Sequence, residues 1–152
     1  MKPLFVLLIS FAIAVLVVRL IKKQFEWRLP GRIALSAMLL FTSLGHFMFT
    51  EGMAGMLPEG VPYREFLVYL TGFVEIAAAI GLLVPAWRRL TGYLLMLFLA
   101  LVLPANIYAA IHHINYETGL ADGPGLSYLW FRIPFQVLLI IWAYLSAVRR
   151  TA

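Results

Sequence analysis

The chain has no cysteine among its 152 residues. Disulfides, iron–sulfur clusters, cysteine nucleophiles and dithiol redox chemistry are therefore excluded. Charge is scarce as well. Asp, Glu, Lys and Arg together make up 12%, about half their usual share in a soluble domain. Seven residues are acidic and three are histidines, His46, His112 and His113. No histidine pair has i, i+4 spacing and no H-E-x-x-H occurs, so no metal site is expected. His112 and His113 diverge by about 100° on a helix and cannot readily share an ion. A haem held between His46 and one of them is geometrically open but carried by nothing else. Glycine-rich phosphate loops, the dinucleotide fingerprint and the G-x-S-x-G elbow are also missing. No basic soluble segment is present, and nucleic acid is not an expected partner.

What the chain does have is apolar side chain: 63% hydrophobic and a mean hydropathy of +0.93. A soluble protein of this length has too much surface to hide that much. The composition points to one all-α integral membrane domain over residues 1–152. Five stretches reach the length of a membrane helix: Leu4–Ile21, Ile33–Phe49, Phe66–Trp87, Leu90–Ile111 and Tyr128–Ala147. The fold expected is a five-helix transmembrane bundle. The first stretch has a loose Ala12-Ile13-Ala14 cleavage pattern. Its apolar run nevertheless continues to Val18 and then meets Arg19, Lys22 and Lys23, the flank of a retained helix.

The net charge of +5 is unevenly placed. Arg19, Lys22, Lys23, Arg28, Arg32, Arg88, Arg89, Arg149 and Arg150 fall on one side of the expected spans. Lys2 and Arg64 fall on the other, and Arg132 lies within the last span. The positive-inside rule then places the N-terminus outside and the C-terminus in the cytoplasm. The basic rim would face anionic membrane lipids. The turn at 87–90 is minimal, whereas the segments 50–65 and 112–127 on the opposite side are long and rich in Gly and Pro. Long loops gathered on one face more often serve function than connection.

Five polar residues sit within the spans: His46, Glu75, Asn106, Arg132 and Gln136. Ionisable groups at such depth usually face the bundle interior and mark sites. Glu75 lies about 14 Å from the outer end of its span. Its helical neighbours Thr71, Gly72, Ala78 and Ala79 are small, the mark of a helix contact face. Arg132 and Gln136 share one face of the last span. Arg132 is read either as an anchor snorkelling to headgroups or as a counter-ion to Glu75. The second reading needs the third and fifth spans to be neighbours. Asn106 follows Pro104, which bends its helix and strips Ala100 of a donor. Ser36, Ser43, His46 and Thr50 form a polar edge on the second span. Each of the five also has a plain reading as a hydrogen-bonded packing residue. All five fall in the outer half of the bilayer, from four helices, which implies a polar pocket opening outward.

Short motifs add a resemblance. Ser43-Leu44-Gly45-His46-Phe47, Tyr69-Leu70-Thr71-Gly72-Phe73-Val74-Glu75-Ile76 and Gly81-Leu82-Leu83-Val84-Pro85 are similar to the DoxX-like membrane proteins. Pro104-Ala105-Asn106-Ile107-Tyr108 and Leu129-Trp130-Phe131-Arg132-Ile133-Pro134-Phe135-Gln136 extend the likeness. The resemblance implies a four-helix core over 28–150, with 1–27 as an additional N-terminal helix. It implies a bacterial or archaeal cytoplasmic membrane and a role beside a quinone-linked oxidoreductase. A quinone is then the ligand to expect, and an oxidoreductase subunit the partner. His46 and Arg132 would donate to a carbonyl, Glu75 would relay a proton, and Asn106 and Gln136 would orient the ligand. Two other readings stand beside this one. In one, the chain is a non-catalytic scaffold whose polar cluster fixes helix packing. In the other, it is a stand-alone membrane enzyme using Glu/His acid–base chemistry. The sequence leaves open whether the chain is an enzyme.

Overall fold

The computed structural model describes residues 2–23 and 26–149. Arg150, part of the charge asymmetry, lies outside them. The described residues form helices and no strand. The helices are α1 (Lys2–Lys22), α2 (Arg28–Met48), the short α3 (Thr50–Gly55), α4 (Arg64–Leu83), α5 (Arg88–Ile111) and α6 (Leu129–Ala143). A 3-10 turn at Gly125–Tyr128 leads into α6, and a wider π-type turn at Tyr144–Val148 ends it. Five helices are long and apolar enough to cross a membrane, the last counted with its flanking turns as Gly125–Val148.

Boundaries differ from the hydropathy reading for local reasons. α2 begins at Arg28, before the apolar run, with Pro30 inside its first turn, where a missing N–H costs nothing. α4 stops at Leu83, not at Trp87. Val84 is extended because Pro85 follows it. The first long loop contains α3, which hydropathy alone does not mark.

α2, α4, α5 and α6 form a ring in which each packs on the next, α6 closing on α2 through its terminal turn. α4 and α6 are therefore diagonal partners, not neighbours. α1 packs on the outside of α2. Its Leu7, Ala14 and Val18 are buried, and only 17% of its membrane-length window is enclosed. Leu16, Leu20 and Ile21 are more than 60% exposed. In water such a surface would be a large aggregation-prone patch; in hydrocarbon it is the matching solvent. An apolar groove of about 340 Å³ separates α1 from α2 between Ala14 and Ala37.

The apolar core joins Leu35, Met38 and Leu39 of α2 to Ala78, Ala79 and Leu82 of α4, with Leu95, Leu99, Leu139 and Ala143 closing it. Ser36 donates 2.9 Å to the Ala79 carbonyl and ties the two central helices at mid-depth. At one end lie Arg28, Arg32, Arg88 and Arg149, here called the basic end. At the other lie α3 and the 112–124 segment, here called the loop end. There Gly52 lets α3 approach the chain closely, since a Cβ would fall 2.1 Å from the Tyr116 carbonyl oxygen. Phe49 packs edge-on against Tyr116 with ring centroids 6.0 Å apart. The two long loops are thus packed on each other. Lys2 reaches Glu117 at 2.9 Å and fastens the start of α1 to this cap.

Candidate functional site

Two elements bring the first cluster together. α2 and α4 run antiparallel, and the small face of α4 lets them close. At Gly72 a Cβ would sit 3.0 Å from the His46 Cβ and 3.2 Å from the Phe47 ring. This tight crossing sets the register one turn deeper, where Thr42 meets Glu75. The Thr42 hydroxyl donates to Glu75 Oε2 at 2.8 Å. His46 lies one helical turn beyond Thr42. Its Nδ1 is 3.0 Å from the Thr42 carbonyl oxygen and 3.4 Å from the same Glu75 oxygen. Glu75 is only 8% exposed. A carboxyl at that depth without partners would be costly; here a hydroxyl and an imidazole face it.

Arg132 enters from the first turn of α6, across the ring. It forms no ion pair with Glu75 among the described residues. The direct contact that the counter-ion reading asks for is not made, because α4 and α6 are diagonal. Arg132 Nε is buried and has no hydrogen-bond partner.

Asn106 and Gln136 are buried too, but they are engaged elsewhere. Asn106 donates at 3.0 Å to the Val102 carbonyl of its own helix. Gln136 donates across the bundle to the Leu99 carbonyl. Both acceptors lie on the N-terminal side of Pro104, whose missing N–H leaves the Ala100 carbonyl, and not theirs, without its helix donor. The structure brings His46 and Glu75 together, pairs Arg132 with neither, and assigns Asn106 and Gln136 to the α5 carbonyls.

Sequence reasoning missed Thr42. The signal was available: Thr42 precedes His46 by four residues and therefore shares its face. The polar edge drawn through Ser36, Ser43, His46 and Thr50 does not act as a unit. Ser43 and Thr50 each donate to a carbonyl of α2, at Leu40 and His46.

Above the cluster, at the loop end, a polar cleft of about 330 Å³ lies between Phe47, Thr50, Glu65, Tyr69 and Glu117. None of the five sequence-selected residues lines it, or the groove beside α1. Glu117 accepts hydrogen bonds from Lys2 and from the Tyr116 hydroxyl, each at 2.9 Å. The Lys2 ammonium, then the tyrosine, hold the Glu117 carboxyl below the ordinary glutamate range. Burial, then the bond to Glu117, push the Tyr116 phenol up to about 12. No group of three or more metal-ligating side chains gathers among the described residues.

No curated protein and no solved structure matches the chain. One family model does, over residues 35–147, which leaves out α1 and the first turns of α2. That span holds Thr42, His46, Glu75, Asn106, Arg132 and Gln136. The chain belongs to this family, described as a domain of unknown function, DUF8561.

Proposed function

We propose that this membrane protein binds a lipophilic carbonyl-bearing ligand of the quinone class at the Thr42–His46–Glu75–Arg132 cluster, as the membrane subunit of an oxidoreductase system. The observation that carries the reading is the buried, unpartnered Nε of Arg132, in a bundle whose α2–α4 contact holds a buried carboxyl against a half-buried imidazole. A buried donor left without an acceptor is unfavourable by about 1–3 kcal/mol. A ligand carbonyl supplies the missing acceptor. His46 Nδ1 faces Thr42 and Glu75, which leaves Nε2 as the free ring nitrogen for a ligand oxygen. The 3.4 Å approach of His46 to Glu75 gives a proton a short route between them.

A quinone supplies two-electron redox chemistry when bound, with electrons from a partner subunit. This chain's residues hold its oxygens and move protons at His46 and Glu75. The resemblance of the motifs around His46, Glu75 and Arg132 to DoxX-like proteins is part of this proposal; the family model that matches is DUF8561. In this account the loop end faces outward and the basic end faces the cytoplasm of a bacterial or archaeal cell. Asn106 and Gln136 are bonded to α5 carbonyls and are not counted among the ligand's contacts.

One set of contacts favours a second reading, a scaffold without a small molecule. Asn106 and Gln136 complete backbone bonds in α5, as packing residues do. Mass spectrometry of lipid-soluble molecules that copurify with the protein in mild detergent separates the two. The ligand reading expects a quinone in the wild type and its loss in Arg132→Gln. A stoichiometric protein partner with no bound quinone would favour the scaffold.

A further inference from the structure

The basic end holds a second unsatisfied arrangement, and it lies outside the quinone reading. α2 and α5 both begin there, behind Trp27 and Trp87, and neither start has a side-chain cap or an acidic residue in its first turn. The first backbone N–H groups of a helix lack intrahelical partners, and its N-terminus carries partial positive charge. Here the Arg88 N–H is bonded to the Val84 carbonyl oxygen at 3.0 Å and Pro30 has no N–H, which leaves Arg28, Leu29, Arg89 and Leu90 to offer theirs. These two starts carry Arg28 and Arg88 where a carboxylate would be favourable. Arg32 follows one turn into α2. The Tyr144–Val148 turn packs on both starts: a Cβ at Gly31 would lie 3.1 Å from the Ser146 Cβ, and one at Gly92 2.7 Å from Val148 Cγ2.

Little at this corner answers the charge. Arg32 is half-buried, and its guanidinium donates at 3.4 Å to the Ser146 carbonyl oxygen. Arg28 lies 5.8 Å over the Trp27 ring. Of the seven acids, only Glu26 belongs to this end, and Lys22 holds it at 2.8 Å. Ser146 is 3% exposed and its Oγ has no hydrogen-bond partner. It lies against Gly31, in the first turn of α2, where a Cβ would be 4.0 Å from that oxygen. Among the described residues, three guanidiniums, two helix starts without side-chain caps and an orphaned hydroxyl therefore gather at this end without a free side-chain carboxylate.

We propose that this corner binds a phosphate group, carried by a membrane phospholipid. Guanidinium forks match phosphate oxygens, and helix N-termini present N–H groups to anions. In a spanning bundle the corner lies where the helices end, at the depth of lipid headgroups. The ligand chemistry needed is a phosphate mono- or diester anion. Inorganic phosphate shares that chemistry but lacks the acyl chains that hold a headgroup at this depth.

The test is thermal unfolding of the full chain in neutral detergent, titrated with phosphatidylglycerol, with phosphatidylcholine of the same acyl chains, or with inorganic phosphate. A saturable rise in the unfolding temperature with phosphatidylglycerol, and none with phosphatidylcholine, is expected. Arg28→Gln and Arg88→Gln should each weaken the half-maximal concentration about fivefold, the scale of one basic residue at an anionic surface. Arg19→Gln, on exposed α1, should leave it unchanged. If a glutamine variant does not fold, Arg88→Lys keeps the charge, loses the fork and should give a smaller loss in the same titration. Equal responses to the two lipids, or equal losses in Arg19→Gln and Arg88→Gln, would overturn the proposal. A full response to inorganic phosphate at the same concentration would overturn the lipid source. None of these outcomes depends on the quinone reading, whose residues lie at the other end.

Discussion

Thr42 and Glu75 meet across the α2–α4 interface through a 2.8 Å hydrogen bond from hydroxyl to carboxyl. This bond sits between the tight crossing at Gly72 and the Ser36–Ala79 tie, so the register of the two central helices fixes it. His46, one turn along α2, then shares the same carboxyl oxygen.

Thr42→Val keeps the shape and removes the donor. Glu75 then loses its strongest partner while remaining buried. The expected cost is about 1–3 kcal/mol, read as a fall in the unfolding temperature in detergent. Thr42→Ser restores the hydroxyl and should recover most of it. Equal losses in the two variants would mean that packing of the Thr42 methyl matters and the bond does not.

Gly72→Ala places a methyl group 3.0 Å from the His46 Cβ and against the Phe47 ring. The helices must separate slightly, which costs about 1–3 kcal/mol for an overpacked contact. The same shift should loosen the His46–Glu75 approach. The imidazole NMR signals of His46 should therefore move in this variant. An unchanged His46 spectrum would show that the crossing does not position the imidazole.

Gln136→Leu removes the side-chain donor that α6 gives the Leu99 carbonyl of α5, which keeps its own helix bond. A loss of about 0.5–1.5 kcal/mol is expected, the net worth of one hydrogen bond. Faster amide exchange should appear around residues 99–104. A neutral Gln136→Leu would mean that water or another donor reaches this carbonyl.

The fold was legible because the membrane solvent imposes simple rules. Length and hydropathy set the five spans, as Leu4–Ile21 within α1 illustrates. Val84 before Pro85 shows where local chain geometry moved a boundary that hydropathy could not see. The site was legible in part. The small face at Gly72, Ala78 and Ala79 identified Glu75 as interior. The ring order was not readable, because hydropathy gives no neighbour relations, so Glu75 and Arg132 could not be known as diagonal residues. Thr42 escaped because threonine in a span looks like any weakly polar filler until its i, i+4 partner is considered. Asn106 and Gln136 looked like ligand contacts because sequence does not show which backbone carbonyl a buried amide will bond.

Acidification should release the clasp between α1 and the loop end. The folded-state value of Glu117 is lowered by Lys2 and Tyr116. Its contribution is therefore present above the ordinary glutamate value of about 4.3 and is lost as pH falls through the lowered folded value. Amide exchange at residues 115–119 should quicken over that acid range, and Lys2→Gln should remove the pH dependence. Tyr116 works in the opposite direction. Its raised value, about 12, favours the neutral phenol in the folded chain, so this contribution fades only as pH rises towards that value. The ultraviolet difference spectrum between wild type and Tyr116→Phe should show phenolate near pH 12. Titration at the ordinary tyrosine value of about 10 would mean that the Tyr116–Glu117 bond does not persist in solution.

The central claim is that Arg132, His46 and Glu75 together hold a carbonyl-bearing lipophilic ligand. Titration of the purified protein with a short-chain ubiquinone analogue, followed by tryptophan fluorescence, tests it most directly. The account predicts saturable quenching, weakened about tenfold or more in Arg132→Gln, the scale of losing a hydrogen bond to a charged group. Thr42→Ser should bind within about twofold of wild type, since the relay's hydroxyl is retained. Quenching that never saturates, or an affinity that Arg132→Gln leaves unchanged, would contradict it.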